Sequence, residues 1–364
     1  MKNKKAKKRR SLLTFILISI LIIFSCLFID SIFYKNKVKI KDEISKKNEY
    51  INVPEGFYYV GGTIDTGIVI SDNKEDEKKG TDYDTTLNLK GNQFVWVPVE
   101  NPVAKDENEL NQLISKNIYP MAIKDGENYK GILYTLSNTG DAFSKYTGTS
   151  DNKDNLDECN REPGILSMNL YGDSNKLIEN STGDLYQNSF NEMIKSVQKN
   201  KGFFVSRYEL GNLHQGNFVS KANQNDITSL NWVDGYNGIK NMYSSKKVNS
   251  EMIWGCQWDA IMIWLYFSDV RNEYFTLNTD ALCNRTGSLL NTASSENYSR
   301  KNIFDLLGNA SEFTQEAAYD SLRIARGGSF SYKTNTDTNN MLIREKFGII
   351  YPYENVGFRA TLLF

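Results

Sequence analysis

Histidine and cysteine are scarce in this chain, and their scarcity excludes several kinds of active site. The 364 residues include one histidine, His214, and four cysteines. One histidine excludes a metal centre built on three histidine ligands, and also a histidine base oriented by a second histidine. The cysteines are Cys26, Cys159, Cys256 and Cys283. They form no C-x-x-C motif, so the sequence indicates neither a zinc site nor a thioredoxin-type redox pair, although a single bridge between Cys256 and Cys283 stays open.

A surplus of positive charge is also missing from most of the chain. The whole sequence has 43 Lys and Arg residues against 44 Asp and Glu residues. Residues 1–41 hold 11 of the basic residues and one acidic residue, so residues 42–364 hold 32 basic and 43 acidic residues. A net-acidic region of this size disfavours nucleic acid as a partner and suits cations. No Walker or dinucleotide-binding glycine pattern is present either.

One long apolar run lies near the N-terminus, directly after a basic run. Residues 2–10 include seven Lys and Arg residues, and residues 12–33 are mostly Leu, Ile and Phe. As a helix, residues 12–33 would be about 33 Å long, which matches the apolar core of a bilayer, and the basic flank should stay inside the cell. We therefore predict a single-pass cell-membrane protein with four segments: a basic cytoplasmic tail (1–11), a transmembrane helix (12–33), a juxtamembrane stalk (34–51) and an extracellular domain (52–364). A cleaved signal peptide, or a lipoprotein cleaved before Cys26, is the alternative.

Shorter patterns predict local elements in the remaining chain. Residues 93–100 form an apolar run typical of a buried strand. Residues 190–199 carry apolar side chains on one helical stripe, and residues 249–266 carry three tryptophans at helical spacing. Both patterns predict helices, the second with its tryptophans in the core. A short helix is predicted over 109–117, and the acidic stretch 72–84, which lacks the calcium-loop pattern, is interpreted as solvated surface.

Three blocks near the C-terminus share apolar residues, closely placed glycines and isolated charges. They cover residues 302–314, 323–330 and 355–360. The isolated charges are Asp305, Glu312, Arg326 and Arg359. A charged group among apolar residues is costly unless it is paired, so we predict that these four side chains find partners.

The order and spacing of these blocks resemble the formylglycine-generating-enzyme, or sulfatase-modifying-factor, family. The family pattern reads approximately N-x-x-D/N-x-x-G-N-x-x-E-W-T, then R-G-G-S-W/F, then G-F-R, and this chain has Phe313 in place of the usual tryptophan. The resemblance covers about residues 93–364, with residues 101–195 as an insertion. It implies an α+β, loop-rich variant of the C-type lectin fold, here preceded by one N-terminal transmembrane helix.

The family's chemistry depends on residues that this chain lacks. Formylglycine-generating members bind copper through two cysteine thiolates just after the R-G-G-S block, whereas residues 330–338 here contain no cysteine. Members of the ergothioneine type need an iron site of three histidines and a separate helical domain. The resemblance therefore implies that neither copper nor iron is bound.

Two function classes follow from these residues. We expect a non-catalytic binding or structural module outside the cell, anchored in the membrane through residues 12–33, with an unidentified extracellular protein, peptide or glycan as its ligand. The alternative is an active formylglycine-generating-type oxidase, or a related enzyme, with unrecognised catalytic residues.

The resemblance also implies a structural calcium ion in the first block. The matching positions are the side chains of Asp305 and Glu312 and the backbone carbonyls of Gly308 and Ala310. Calcium takes about six to eight oxygen ligands and often combines carboxylates with carbonyls, and a glycine lets the chain turn its carbonyls inward. The competing interpretation has no ion: Glu312 pairs with Arg326 or Arg359, and Asp305 caps a turn.

Overall fold

The described part of the chain forms two compact units. The computed structural model describes residues 37–41, 48–136, 142–146, 183–212, 217–244, 247–268, 282–319, 322–331 and 342–364. The units are residues 1–55 and 56–364. The first unit contains two antiparallel strands, β1 (Lys37–Lys41) and β2 (Asn48–Asn52), which overlap the predicted stalk. The predicted tail and transmembrane segment, residues 1–33, lie outside the described residues.

The second unit contains the remaining strands and the helices. Its strands are β3 (Tyr58–Gly61), β4 (Val69–Ser71), β5 (Gln93–Pro98), β6 (Val103–Ala104), β7 (Ala122–Asp125), β8 (Asn128–Gly131), β9 (Tyr134–Leu136), β10 (Phe143–Lys145), β11 (Gly202–Ser206), β12 (Gly211–Asn212), β13 (Phe218–Val219), β14 (Asn249–Met252), β15 (Ser299–Arg300), β16 (Ile303–Phe304), β17 (Ser311–Tyr319), β18 (Leu322–Arg326), β19 (Glu345–Gly348), β20 (Val356–Phe358) and β21 (Ala360–Leu363). Its helices are α1 (Tyr83–Thr86), α2 (Glu107–Ile114), α3 (Gly183–Asn200), α4 (Trp232–Met242) and α5 (Gly255–Tyr266).

A six-stranded antiparallel sheet carries much of the core, in the order β14-β21-β11-β5-β4-β3. Every residue of β11 is buried, and only Pro98 of β5 is partly exposed. Phe204 of β11 lies opposite Trp96 of β5 on one side and Leu362 of β21 on the other. Because these strands are covered on both faces, their sequence is almost continuously apolar, and the strand predicted over 93–100 is confirmed.

A second sheet, in the order β19-β18-β17-β20, brings the three C-terminal blocks together. Strand β17 pairs antiparallel with β18 and parallel with β20. In this register, Glu312 on β17 lies opposite Arg326 on β18 and opposite Gly357 on β20. The blocks are therefore neighbours across one sheet, and the charged side chains of Glu312 and Arg326 are buried there.

Two of the predicted helices are found with shifted starts. Helix α3 includes the amphipathic stretch predicted over 190–199 but begins earlier, at Gly183. Its apolar stripe is fully buried and consists of Phe190, Met193, Ile194 and Val197. Helix α5 begins later than predicted, because residues 249–252 pair with β21 as strand β14. Gln257 caps its start, since the Gln257 Oε1 accepts the Trp254 N–H at 3.0 Å.

The fold class predicted from the sequence is corrected by the structure. The described chain is sheet-rich with short helices, of which α3 is the longest described, at 18 residues. Among the described residues, none of the helices combines the length and the apolar character needed to cross a membrane. Over the described residues, the α+β, lectin-like class is therefore replaced by a sheet-rich fold with five short helices, and a leading transmembrane helix is not shown. The prediction gave too little weight to the many short β-branched and aromatic runs bounded by glycines.

Candidate functional site

The first charged cluster of the second unit centres on Glu312 and Arg359. Glu312 lies on β17, and Arg359 directly follows β20. The Arg359 Nε donates to both carboxylate oxygens of Glu312, at 2.7 and 2.8 Å, and Nη2 also donates to one of them. The remaining guanidinium donors bond to the backbone carbonyls of Ser206 at 2.8 Å and Phe304 at 2.9 Å. Burial raises the pKa of Glu312, against the opposing effect of Arg359.

Two buried carboxyl groups meet at the side chain of Asn309. Its Nδ2 donates to Glu209 Oε2 at 2.5 Å and also to Asp226 Oδ2. The other Glu209 oxygen accepts the N–H of Ala310 at 2.9 Å. Burial raises the pKa of Glu209 well above its ordinary value, and it raises the pKa of Asp226 to about 8. The pair therefore retains a proton at neutral pH, because two carboxylates this close in the interior do not both ionise.

Asp305 and Gly308 both require a left-handed backbone. Asp305 has φ +54° and Gly308 has φ +71°. The Asp305 Oδ2 accepts the N–H of Ala293 at 2.8 Å, and burial raises the pKa of Asp305 to about 7. A Cβ on residue 308 would lie 2.4 Å from the carbonyl oxygen of Asn284. The glycine of the first block is therefore needed for close approach of two backbone segments.

These contacts decide how well the predicted calcium ligands fit an ion. Both Glu312 oxygens accept bonds from Arg359, and Asp305 accepts a backbone N–H. In the described part of the chain, no three His, Cys, Asp or Glu side chains are grouped so as to hold a metal ion. Among Asp305, Gly308, Ala310 and Glu312, the Glu312 side chain is thus held as the ion-pair interpretation predicts, through Arg359. Calcium binding itself stays a prediction.

A second buried cluster joins Asp259 on α5, Glu316 on β17, Arg326 on β18 and Arg344 just before β19. The Asp259 carboxylate forms ion pairs with Arg326 Nη1 at 3.0 Å and with Arg344 Nη2 at 2.6 Å. Glu316 receives Arg344 Nε at 2.9 Å. Two acids and two bases balance in charge, so the cluster satisfies the expectation that Arg326 is paired. Its contacts lie inside the protein and leave no open face for a substrate, since the four side chains are at most 5% exposed.

The positions at which a family enzyme would hold copper are described only at their start. Residues 332–341 lie outside the described residues, as does His214. Cys256 and Cys283 are buried in the second unit and are not bridged to each other. Cys256 lies in the first turn of α5 and Cys283 lies before β15, and neither is in the block that resembles the copper site.

An open groove of about 370 Å³ lies on the surface of the second unit. Its walls come from residues 64–65, 98–101 and 117–119, from the C-terminal half of α5 with the turn after it, and from Lys301. Sequence reasoning missed this groove because five separate segments build it. The one signal for the groove in the sequence was Trp264. Its predicted position in the core is wrong, since the side chain is only partly buried and lines the groove.

Aromatic rings and one ammonium group shape the groove. Phe267 is 45% exposed and stacks on Tyr119, with ring centroids 5.8 Å apart and planes inclined by 22°. The Lys301 Nζ lies 5.0 Å from the centroid of the Trp264 ring and donates to the carbonyl oxygen of Asp65. Lys301 itself has φ +47°, an uncommon value for a lysine. A half-exposed aromatic surface with a few polar groups around it is the usual composition of a ligand site.

Comparison with known proteins gives limited likenesses. No known family profile matches the chain. No curated protein matches it either. Among solved structures, PvdO from Pseudomonas aeruginosa is 12% identical with a TM-score of 0.31, over 45% of this chain and 82% of PvdO. Treponema denticola variable protein 1 is 11% identical with a TM-score of 0.30, over 44% of this chain and 95% of that protein.

CarF gives a similar result, at 11% identity and a TM-score of 0.31, over 45% of this chain and 87% of CarF. PvdO and CarF belong to a formylglycine-generating-enzyme-like fold family. Likenesses of this size assign no activity to the present chain.

Proposed function

We propose that this chain is a non-catalytic binding module whose ligand occupies the groove beside Trp264. The observation that carries the proposal is the groove itself, an open cavity of about 370 Å³ whose aromatic lining includes Phe267 at 45% exposure. The exposed part of the Phe267 ring supplies apolar contact area for a ligand that packs in the groove.

The positions of the carboxyl groups with raised pKa values favour binding over acid–base catalysis. The carboxyl groups whose pKa burial raises most clearly, at Glu209, Asp226 and Asp305, lie in the interior. None of the three lines the groove. Enzymes place their perturbed acids and bases in the cleft where substrate binds, so the separation of these groups from the groove supports a module that binds without reacting.

The family and the location are proposed on the sequence. A formylglycine-generating-enzyme-like module without copper is supported by the three C-terminal blocks and by the lack of cysteine in residues 330–338. A place outside the cell at the membrane is supported by the basic and apolar runs of residues 1–41 and by the net-acidic remainder.

The proposal is tested with the purified full chain on arrays of glycans and of tiled peptides. Wild type should bind at least one class of probe, and Trp264→Ala should lose affinity by about tenfold or more, as central aromatic residues of interfaces do. Tyr351→Ala is the matched control, because Tyr351 is 59% exposed and does not line the groove. Binding that Trp264→Ala leaves intact would refute a ligand site in this groove.

A second assay addresses the enzymatic alternative. The full chain is incubated with copper, oxygen and a cysteine-containing sulfatase peptide, and the peptide is examined by mass spectrometry. We expect the cysteine to remain unchanged, since no thiolate pair follows the R-G-G-S block. Conversion of the cysteine to the aldehyde would establish the oxidase instead.

A further inference from the structure

The charges around the groove point to the chemistry of its ligand. This inference rests on the proposed function, because it names what the groove binds. Asp65 and Glu100 both line the groove and are both exposed. Within the described residues, neither carboxylate forms an ion pair, so both are available to a cation. The net charge of residues 42–364, with 43 acidic and 32 basic residues, favours the approach of a cation over long range.

The aromatic wall of the groove already holds an ammonium group. The Lys301 Nζ lies over the Trp264 ring, 5.0 Å from its centroid, and is anchored by the carbonyl oxygen of Asp65. An indole face attracts a cation at such a distance. The contact also places one positive charge of the protein beside the groove, where it would repel a second cation. Lys301 should therefore weaken a cationic ligand while Asp65 and Glu100 strengthen it.

The remaining polar lining suits a peptide more than a free amine. Asn101 and Asn117 line the same groove, and the side-chain NH2 group of each can donate to a peptide main chain, while the Asn117 Oδ1 accepts the Tyr119 hydroxyl at 3.2 Å. The aliphatic stem of an arginine or lysine packs well along aromatic and aliphatic surface while its charged head stays at the polar edge. Such a stem can pack against Trp264 and Phe267, and the carboxylates that line the same groove can then bind its charged head.

We infer that the groove binds an extended cationic peptide segment. An arginine or lysine of the segment places its stem against Trp264 and Phe267 and its charged head at Asp65 and Glu100. The side-chain amides of the groove bond to the peptide main chain.

Three labelled octapeptides with blocked ends test this inference against the purified full chain. They alternate glycine with arginine, with glutamine or with glutamate, and binding is followed by fluorescence anisotropy at low and high salt. The arginine peptide should bind about tenfold or more tightly than the glutamine peptide, and the glutamate peptide should bind least. High salt should weaken the arginine peptide because exposed charge pairs are screened.

Variants of the residues that line the groove measure how much the carboxylates and Lys301 each contribute to the affinity for the arginine peptide. The double variant Asp65→Asn/Glu100→Gln should reduce affinity for the arginine peptide by about tenfold or more. Lys301→Asn should increase that affinity by about two- to fivefold, since asparagine tolerates positive φ and the repelling charge is removed. The double variant Asp125→Asn/Glu127→Gln removes two exposed carboxylates outside the groove and should change little.

The outcomes distinguish this inference from the proposed function. Equal affinity for all three peptides, or binding of glycans alone, would overturn the cationic ligand; the binding module would stand if Trp264→Ala abolishes that binding. Arginine-peptide binding that is insensitive to Trp264→Ala would overturn both. Loss on Asp65→Asn/Glu100→Gln together with gain on Lys301→Asn, and no change in the control, would establish the inference.

Discussion

Glu312 and Arg359 are 47 positions apart in the sequence and form a two-pronged ion pair inside the protein. Strand β17 and the end of β20 hold the two side chains side by side, and both residues are at most 1% exposed. The guanidinium also holds the carbonyl groups of Ser206 and Phe304. One arginine thus connects the four-stranded sheet to the end of β11 in the six-stranded sheet.

Removal of this arginine should be strongly destabilising. Arg359→Met should reduce the free energy of unfolding by about 3–5 kcal/mol, because the buried carboxylate of Glu312 loses its partner. The double variant Arg359→Met/Glu312→Gln should recover part of the loss, since both charges are then absent. Urea unfolding of the three proteins measures these differences. Equal stability of wild type and Arg359→Met would contradict an ion pair of structural importance.

The paired carboxyl groups at Asn309 predict a pH dependence. The folded chain retains a proton on Asp226 up to a pKa of about 8, whereas the ordinary pKa of the group is 3.8. Between these values the folded state binds more protons than the unfolded state, so the free energy of unfolding should fall as pH rises through this window. Asp226→Asn should make the fall shallower, while Asp125→Asn on the surface should not. Urea unfolding across the pH range tests this, and a slope unchanged in Asp226→Asn would exclude the carboxyl pair as its source.

Calcium and chelator distinguish the two interpretations of the first block. Arg359 occupies both oxygens of Glu312, so we expect wild type to have the same Tm in millimolar calcium and in EDTA. An ion that bound only the folded state would raise Tm with its concentration. Glu312→Gln is the matched variant. A calcium-dependent rise in wild type that disappears in Glu312→Gln would establish the calcium site in place of the ion pair.

Two glycines with positive φ allow two costs of a Gly→Ala substitution to be measured separately: backbone strain and the steric clash of the added methyl group. At Gly126, with φ +57°, an added methyl group would have no atom within 4 Å, whereas at Gly308 the carbonyl oxygen of Asn284 would be 2.4 Å away. Gly126→Ala should cost about 1–2 kcal/mol from its backbone conformation alone. Gly308→Ala should cost clearly more, because the chain must also move apart from Asn284. Equal losses in thermal unfolding would show that the close approach is relieved without cost.

Local periodicity predicted the local elements well. The strand over 93–100 and the stripe of α3 depend on neighbouring residues, so their side-chain pattern is visible in the sequence. That Glu312 pairs with an arginine was also predictable, since a buried charge needs an opposite charge, but the sequence left Arg326 and Arg359 open as partners. The start of α5 was not predictable from the sequence, because residues 249–252 become a strand only by pairing with β21, which lies far along the chain.

Asp76 shows why the remaining polar contacts could not be predicted. Its stretch was interpreted as solvated surface, yet Asp76 is fully buried. Its Oδ2 accepts the Ser71 hydroxyl at 2.7 Å and the Gly91 N–H at 2.8 Å. The groove depends on distant segments in the same way. In both cases the chemistry comes from residues brought together by tertiary structure, and no local pattern indicates it.

The order of strands in the six-stranded sheet has a consequence for how quickly the chain folds. Strand β11 lies between β5 and β21, and each of these partners is more than a hundred positions away in the sequence. The pairing of β11 therefore cannot form from contacts between sequence neighbours. Long loops must close first, at a cost in chain entropy, before these strand contacts stabilise the sheet. Folding should be slow for a chain of this size. Until β21 arrives, the apolar edges of β11 and β14 stay open to pairing with other chains, so the interval before its docking is the period of greatest risk of aggregation.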